Sequence, residues 1–534
     1  MGGENEAAVG PGPATAPTVI DVPVAVACGV HDYLGGGNAE AAALVERTRA
    51  LRASGPVEWR VPVDARTIHR IVALHALAGA EGVSVCFEPD AALTERERAF
   101  FDDFRRQRVD ATLGRLRRGR VREWLSGLHE ALDALVRSLQ PGPATALAGR
   151  SLRSVVVIGA YGGDHIGDAA ILGGVLLGLG ARHGVTQATV LSHRAEHTRR
   201  LVAMLALPMR VAVEDYRPGA VPRLLDTADA LVLAGGPVVD LPRVLAKHLA
   251  SAHAARVRGK PFLIERVGPG EFHHALSARV ARRTFELARS VTVRSASAAT
   301  HPLLHGLAVG VGRDPAFDYL ATRVALDRMA PGEREGIDAL VAKTAGTRRI
   351  GINLRPVSDD WHPRGCEHAR ALRGRFLDRF CAGLAALAVQ SPLPVTYVFF
   401  PMNAIQFGMS DLTAAYELHR RLGDRVRLVV FEADPTIDGV LRLLRSLDAA
   451  VVMRLHAAIF CLSQRVPVVG VDFFPDRNSK LTQLFVDEGR GERVTSMDAF
   501  DAGWLCDALA SSLLPIAAVR GASSTAGGEL PAAR

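Results

Sequence analysis

From Ser151 onward the chain repeats one pattern: a short run of apolar, often β-branched residues, a glycine-rich or polar turn, and a segment of helix length. "SVVVIGA" leads into "DAAILGGVLLGLG" and "ATVLSH" into "RAEHTRRLVAML"; "ALVLAGG", "PFLIERVGPG" and "SVTVRS" follow, and the pattern stops near "VGRDPAFDYLA". Apolar runs this short, bounded by turns, are strands covered on both faces, and their alternation with helices demands a parallel sheet. After a helical connector the pattern restarts with "RIGINLRP" and continues through "PVTYVFFPMN", "VRLVVFE", "AAVVMRLHAAIFCLSQ" and "VPVVGVDF". The expected fold class is therefore α/β, with two tandem Rossmann-like domains over residues 151–320 and 345–515. Open parallel sheets bind ligands beyond the carboxyl ends of their strands, so two facing halves would enclose a cleft.

Residues 21–150 read as an additional N-terminal α/β region of unassigned role, with strands at "EWRVPVD" and "GVSVCFEPD". A helix is expected from Thr94, where Thr94 and Glu97 have capping-box spacing. "QPGPATALAGR" reads as a linker, and residues 1–20 and 520–534 have the composition of disordered tails.

The 534 residues are 48% apolar and carry a formal charge of +8. Lysine occurs only at positions 247, 260, 343 and 480, and the other 60 of the 64 basic residues are arginine. Codon usage explains that skew as readily as an anionic partner does, and the arginine-rich stretch Arg105–Arg122 reads first as a solvated helix face. Nucleic-acid binding is not expected. The six cysteines are scattered without a CxxC pair, so neither a zinc site nor a disulfide framework is indicated, and Cys86 and Cys461 are expected in the core. "MGGENEAAVGPGPATAPT" has no apolar signal region, and no apolar run approaches the ~18 residues of a membrane span. A cytoplasmic location is expected, with peripheral contact at the inner face of a membrane left open.

Several charged residues stand at the expected strand ends. "GAYGGDHIGDAAI" places Gly159, Gly162, Gly163 and Gly167 around a strand-to-helix turn and Asp168 at the helix start. Asp168 there is a helix cap or a group that handles hydroxyl protons at an anion or sugar site. No Gly-Lys-Ser/Thr follows, so the turn is not a Walker loop. "LIERVGPG" carries Arg266, "TVRSAS" Arg294, "GRDPAF" Arg313 and Asp314, and "GINLRP" Arg355. In "VVMRLHAAIF", strand alternation through Arg454-Leu455-His456 would turn Leu455 into the core and the other two toward the cleft. Arginine suits a carboxylate or phosphate, and histidine supplies a proton near neutral pH; taken alone, the pair reads first as a satisfied interior histidine beside a structural ion pair.

From about Arg153 to about Phe485, the order of "GAYGGDHIGDAAIL", "LVLAGG", "ERVGPG", "VTVRSASA", "RDPAF", "GINLRP" and "MRLHAAIFCLSQRVPVVGVDF" resembles the polysaccharide pyruvyl transferase family. The resemblance implies a GT-B-like arrangement of the two halves. It also implies transfer of pyruvate from phosphoenolpyruvate to a saccharide or lipid-linked saccharide, forming a ketal and releasing phosphate. His456 then becomes the candidate acid, and Arg454, with Arg294 and Arg266, the candidate ligands of phosphoenolpyruvate. Asp168 would orient or deprotonate a sugar hydroxyl, with Gly163 and Gly167 allowing close approach. Phosphoenolpyruvate is the donor substrate; no cofactor and no metal are implied. The family has Asn where this chain has His165 and an acidic residue where it has Ala169, and Lys480 matches a family lysine only across a stretched loop. A nucleotide-sugar glycosyltransferase of the same architecture and a non-catalytic anion- or saccharide-binding member are the alternatives.

Overall fold

The computed structural model describes residues 16–28, 39–64, 67, 71–93, 98, 101–102, 117–140, 152–159, 161–162, 164–217, 219–238, 240–270, 272, 274–323, 329, 331–355, 366–405, 411–431, 436–473 and 479–513. Residues 1–15 and 514–534, Gly163, most of the helix expected from Thr94, most of the linker and the arginine-rich residues before 117 lie outside them; the tail expected over residues 1–20 is cut short by a strand at Thr18–Asp21, which pairs with Val57–Arg60. The chain divides into two compact units, Met1–Arg106 with Leu412–Arg420, and Gln107–Asp411 with Arg421–Arg534.

The first unit contains a three-stranded parallel sheet in the order β1 (Thr18–Asp21), β2 (Val57–Val63), β3 (Ser84–Pro89). Alternate residues Val57, Trp59, Val61 and Val63 of β2 are buried, and the Trp59 indole N–H donates to Thr48 Oγ1 at 2.9 Å. Cys86, expected in the core, is exposed because it falls on the outward phase of β3, between buried Val85 and half-buried Phe87.

The second unit holds both Rossmann-like halves in the GT-B-like arrangement expected. The first sheet comprises β4 (Ser154–Ile158), β6 (Gln187–Ser192), β7 (Arg210–Asp215), β8 (Ala230–Ala234), β10 (Phe262–Pro269), β11 (Ser290–Val293) and β12 (Gly310–Val311). Its order is β12-β11-β10-β8-β4-β6-β7, all parallel, with β9 (Pro237–Val238) added on the end of β10. The continuous apolar runs are required because both faces are covered. Val155 and Val157 of β4 enter one core, and Val156 and Ile158 enter the other. Each such side chain contributes roughly 1.5–3 kcal/mol by leaving water. The second sheet runs β16-β14-β13-β17-β18-β19, also parallel: β13 (Arg348–Asn353), β14 (Val395–Phe399), β16 (Arg427–Val430), β17 (Ala449–Val452), β18 (Val468–Asp472) and β19 (Val494–Ser496).

Helix Arg117–Ser138, which the sequence reading groups with residues 21–150, belongs to the second unit. Its Ala131 and Ala134 enter the core of the first half, Glu130 pairs with Arg243 at 3.0 Å, and Ser138 O accepts from Arg283 Nη2 at 2.9 Å.

Several features join the halves, among them a shared core, a buried ion pair, the ion pair of Arg313 with Glu488 at 2.9 Å and a strand pairing. One core cluster runs from Val155 and Val175 to Val452 and Phe460 without a break. Arg323, at the end of helix Pro315–Thr322, donates through Nε to Asp438 at 2.8 Å, with both side chains buried. Last, β5 (Asp164–His165) pairs antiparallel with β15 (Asn403–Ile405), bringing the glycine-rich turn of the first half against the second. Gly174 makes the packing of helix Ile166–His183 possible: a Cβ there would lie 1.8 Å from the Pro315 carbonyl oxygen.

Candidate active site

The Arg454–His456 turn does not follow strand alternation. The β17 ladder ends at Val452, the Met453 N–H donates to Asn353 O at 2.8 Å, and helix Leu455–Ser463 begins at once. Arg454 is the extended residue preceding that helix, at φ −94° and ψ 134°, and His456 sits in its first turn. Leu455 is half-buried against the core, so the two polar side chains are placed by a strand-to-helix turn and not by a pleat.

The first half meets this turn with its own. Helix Ile166–His183 starts at His165, whose Nδ1 accepts the Gly167 N–H at 3.0 Å. Gly167 is required: a Cβ there would lie 2.3 Å from His456 Cγ. The His165 and His456 rings stand edge to face with centroids 5.3 Å apart, and ring nitrogens of both and a carboxylate oxygen of Asp168 lie within 4.8 Å of one another. Asp168, the candidate for handling sugar protons, is therefore adjacent to the candidate acid across the junction of the halves.

Burial sets the protonation of these groups. His456 is pushed down to about 4, first by burial and then by Arg294, Lys480 and Arg454, against the opposing charge of Asp314. Its Nε2 is buried without a hydrogen-bond partner among the described residues. Asp168 is pushed up to about 7 by burial, against the attraction of Arg454 and Lys480. Lys480 is pushed down to about 7 by burial and by Arg294. It is the first residue of helix Lys480–Asp487, where the helix dipole disfavours a cation.

The arginines divide by partner. Arg454 donates through Nε to Asp411 Oδ1 and Oδ2 at 2.9 and 2.8 Å, and Asp411 is fully buried and also accepts the Met402 N–H at 3.0 Å. The arginine expected to hold an anion thus already neutralises a buried carboxylate, because burying either charge alone is costly. Arg294 lies 3.7 Å from Asp314, with Gly268 beneath it: a Cβ there would be 2.8 Å from Arg294 Nε. Arg266 has φ 49° at a register shift of β10, pairs with Asp318, and is not among the groups acting on His456 or Asp168. Arg355, two residues beyond β13, has no ion pair among the described residues. It lies over the Phe473 ring at 5.0 Å with its Nε buried and unpartnered, and burial and Arg454 push it down to about 10. Sequence reasoning noted Arg355 and Lys480 without committing to either. The available signals were an arginine just past a buried strand and a lysine following a serine helix cap.

His165, Asp168 and His456 have the donor set of a metal centre, but the geometry of His165 opposes it. Ligating histidines donate their second ring nitrogen to an acceptor. Here Nδ1 accepts a backbone N–H, which leaves the proton on Nε2 and no free lone pair on the ring.

Solved structures of similar architecture include the UDP-GlcNAc 2-epimerase of Neisseria meningitidis bound to UDP-GlcNAc (12% identity, 67% of this chain and 91% of that one, TM-score 0.46). Others are the UDP-GlcNAc 2-epimerase of Methanocaldococcus jannaschii (11%, 68% and 93%, 0.46) and an O-GlcNAc transferase variant of Thermobaculum terrenum (15%, 94% and 92%, 0.41). No curated protein matches the chain. Residues 395–473, which contain β14, β15, the Arg454–His456 turn and β18, match the polysaccharide pyruvyl transferase family model, so the resemblance read from the motifs holds for this segment.

Proposed function

We propose that the protein transfers pyruvate from phosphoenolpyruvate to a saccharide, forming a cyclic ketal and releasing phosphate. The observation that carries this reading is the meeting of His456 and Asp168 across the two halves, flanked by two cations, Arg355 and Lys480, that form no ion pair among the described residues.

Phosphoenolpyruvate brings a carboxylate and a phosphate, and both unpaired cations suit them. In the empty site burial, reinforced by the nearby cations, keeps His456 neutral; an incoming trianion opposes both and draws a proton onto the imidazole. His456 then protonates the methylene carbon of the donor, and the adjacent carbon becomes electrophilic. One acceptor hydroxyl adds there, losing its proton to Asp168, whose raised pKa suits it to both holding and releasing a proton near neutrality. Loss of inorganic phosphate regenerates an electrophilic carbon, and the second hydroxyl closes the ketal. Of the two hydroxyl protons released, one replaces that delivered to the new methyl group and the other leaves with phosphate or solvent. Ring closure requires an acceptor with a 1,2- or 1,3-diol.

The test is phosphate release from phosphoenolpyruvate across a panel of diol-bearing saccharides. Release is expected with a matched acceptor, and His456→Ala is expected to lower turnover by about 10²–10⁴-fold, the usual contribution of a positioned acid. Turnover that survives His456→Ala would remove the histidine from the reaction.

A further inference from the structure

The glycine-rich turn contains an imidazole with no part in the reaction described above. His165 is 7% exposed and serves as the cap of helix Ile166–His183 through Nδ1, which accepts the Gly167 N–H at 3.0 Å. An imidazole nitrogen that accepts a backbone N–H carries no proton, so the proton of the neutral ring is on Nε2. His165 is anchored on its other side by the pairing of β5 with β15, in which it lies opposite Asn403. Its ring is edge to face with His456 at 5.3 Å and belongs to the same cluster as Asp168. Nε2 makes no hydrogen bond among the described residues and, unlike His456 Nε2, is not sealed from solvent.

We propose that His165 is a substrate-binding residue: a neutral imidazole of fixed tautomer whose Nε2–H donates to an oxyanion held beside Arg355 and Lys480. The oxyanion is a phosphate or carboxylate, which deepens the reading of this site as one for phosphoenolpyruvate. A cationic histidine would lose its contribution as pH rises through its pKa. A neutral donor keeps it, and the helix cap makes protonation of Nδ1 unfavourable because that would set two N–H groups against each other. The groups facing the ring act in the same direction: burial first, then Arg454, His456 and Arg355 hold His165 well below the usual histidine range. Asp168 and Lys480 titrate near neutrality in the same cluster, so the His165 term must be isolated as a ratio between variant and wild type.

Two measurements on the full chain test this. Long-range ¹H–¹⁵N spectra of histidine-labelled protein should show His165 as the Nε2–H tautomer throughout pH 6–8, with Nε2 shifting on titration with inorganic phosphate. His165→Asn keeps a side-chain oxygen able to cap the helix while withdrawing the Nε2–H. It should bind inorganic phosphate and phosphoenolpyruvate about 10-fold more weakly, by a factor constant from pH 6 to 8, with little change in the melting temperature of the free protein. An Nδ1–H tautomer, an Nε2 signal unmoved by phosphate, or unchanged affinity in His165→Asn would each overturn the proposal. If wild type binds phosphate through His165 but does not bind phosphoenolpyruvate, the reading of function fails and the oxyanion donor stands. If phosphoenolpyruvate binds equally to both proteins, the donor fails and the function stands.

Discussion

The strand-end cations of the two halves look alike in sequence and differ in what they face. In the first half, Arg266 pairs with Asp318 and Arg294 with Asp314. In the second, Arg454 pairs with Asp411, whereas Arg355 and Lys480 form no ion pair among the described residues and feel Asp411 with Asp472, and Asp168, only at longer range. A buried cation that already has a carboxylate maintains the fold and tunes its neighbours. A half-buried cation without such a pair pays a desolvation cost that an incoming anion relieves. On the proposed function, this difference leads us to give Arg454 a role in architecture and field, and Arg355 with Lys480 direct contact with the anion.

The largest effect that would break this division is expected at Arg454. Replacing it by Ala leaves Asp411 buried and uncompensated, a loss of about 3–5 kcal/mol. Chemical denaturation should detect it, and a stable Arg454→Ala protein with weakened anion binding would exchange the roles of the two arginines. At Arg355 the expectation is opposite: Arg355→Ala should weaken phosphoenolpyruvate binding roughly 10–100-fold, from lost charge-assisted hydrogen bonds of about 1.5–3 kcal/mol, without lowering the melting temperature. Titration calorimetry separates the two variants.

A smaller effect sharpens the comparison through Asp168. Its carboxyl is held near 7 in the fold against 3.8 when free. Between those values the folded state keeps a proton that the unfolded state has lost, so this group makes stability fall as pH rises from about 4 to about 7. Asp168→Asn removes the penalty. Its melting temperature relative to wild type should be higher at pH 8 than at pH 5, by the equivalent of on the order of 1 kcal/mol, while turnover is lost. A difference that does not change with pH would show Asp168 to be an ordinary ionised surface carboxylate.

Much of the fold was legible because doubly covered parallel strands need continuous apolar runs, and "SVVVI", "ALVLA" and "AAVV" are such runs. The meeting of Asp168 and His456 followed from the order of strand-end motifs. The geometry of the Arg454 turn did not, because the chain leaves the sheet just after the Met453 N–H bonds to Asn353, about 100 residues earlier in the chain, and helix Leu455–Ser463 begins at once. Nor did the pairing of the arginines. Asp411 lies 43 residues from Arg454, and nothing local marks it as the partner. The placement of helix Arg117–Ser138 was hidden for a related reason: the alanines that dock it, Ala131 and Ala134, have no strand-like pattern of their own. Among the described residues no helix is long and apolar enough to cross a membrane, in keeping with the short apolar runs of the sequence.

The central claim is that this site binds phosphoenolpyruvate and that binding places a proton on His456. Isothermal titration of the wild-type protein near pH 7, in two buffers of different ionisation enthalpy, tests both parts in one measurement. Saturable binding of phosphoenolpyruvate with net proton uptake is predicted, reduced in uptake by His456→Ala. Saturable binding of a nucleotide sugar with no heat from phosphoenolpyruvate would contradict the account.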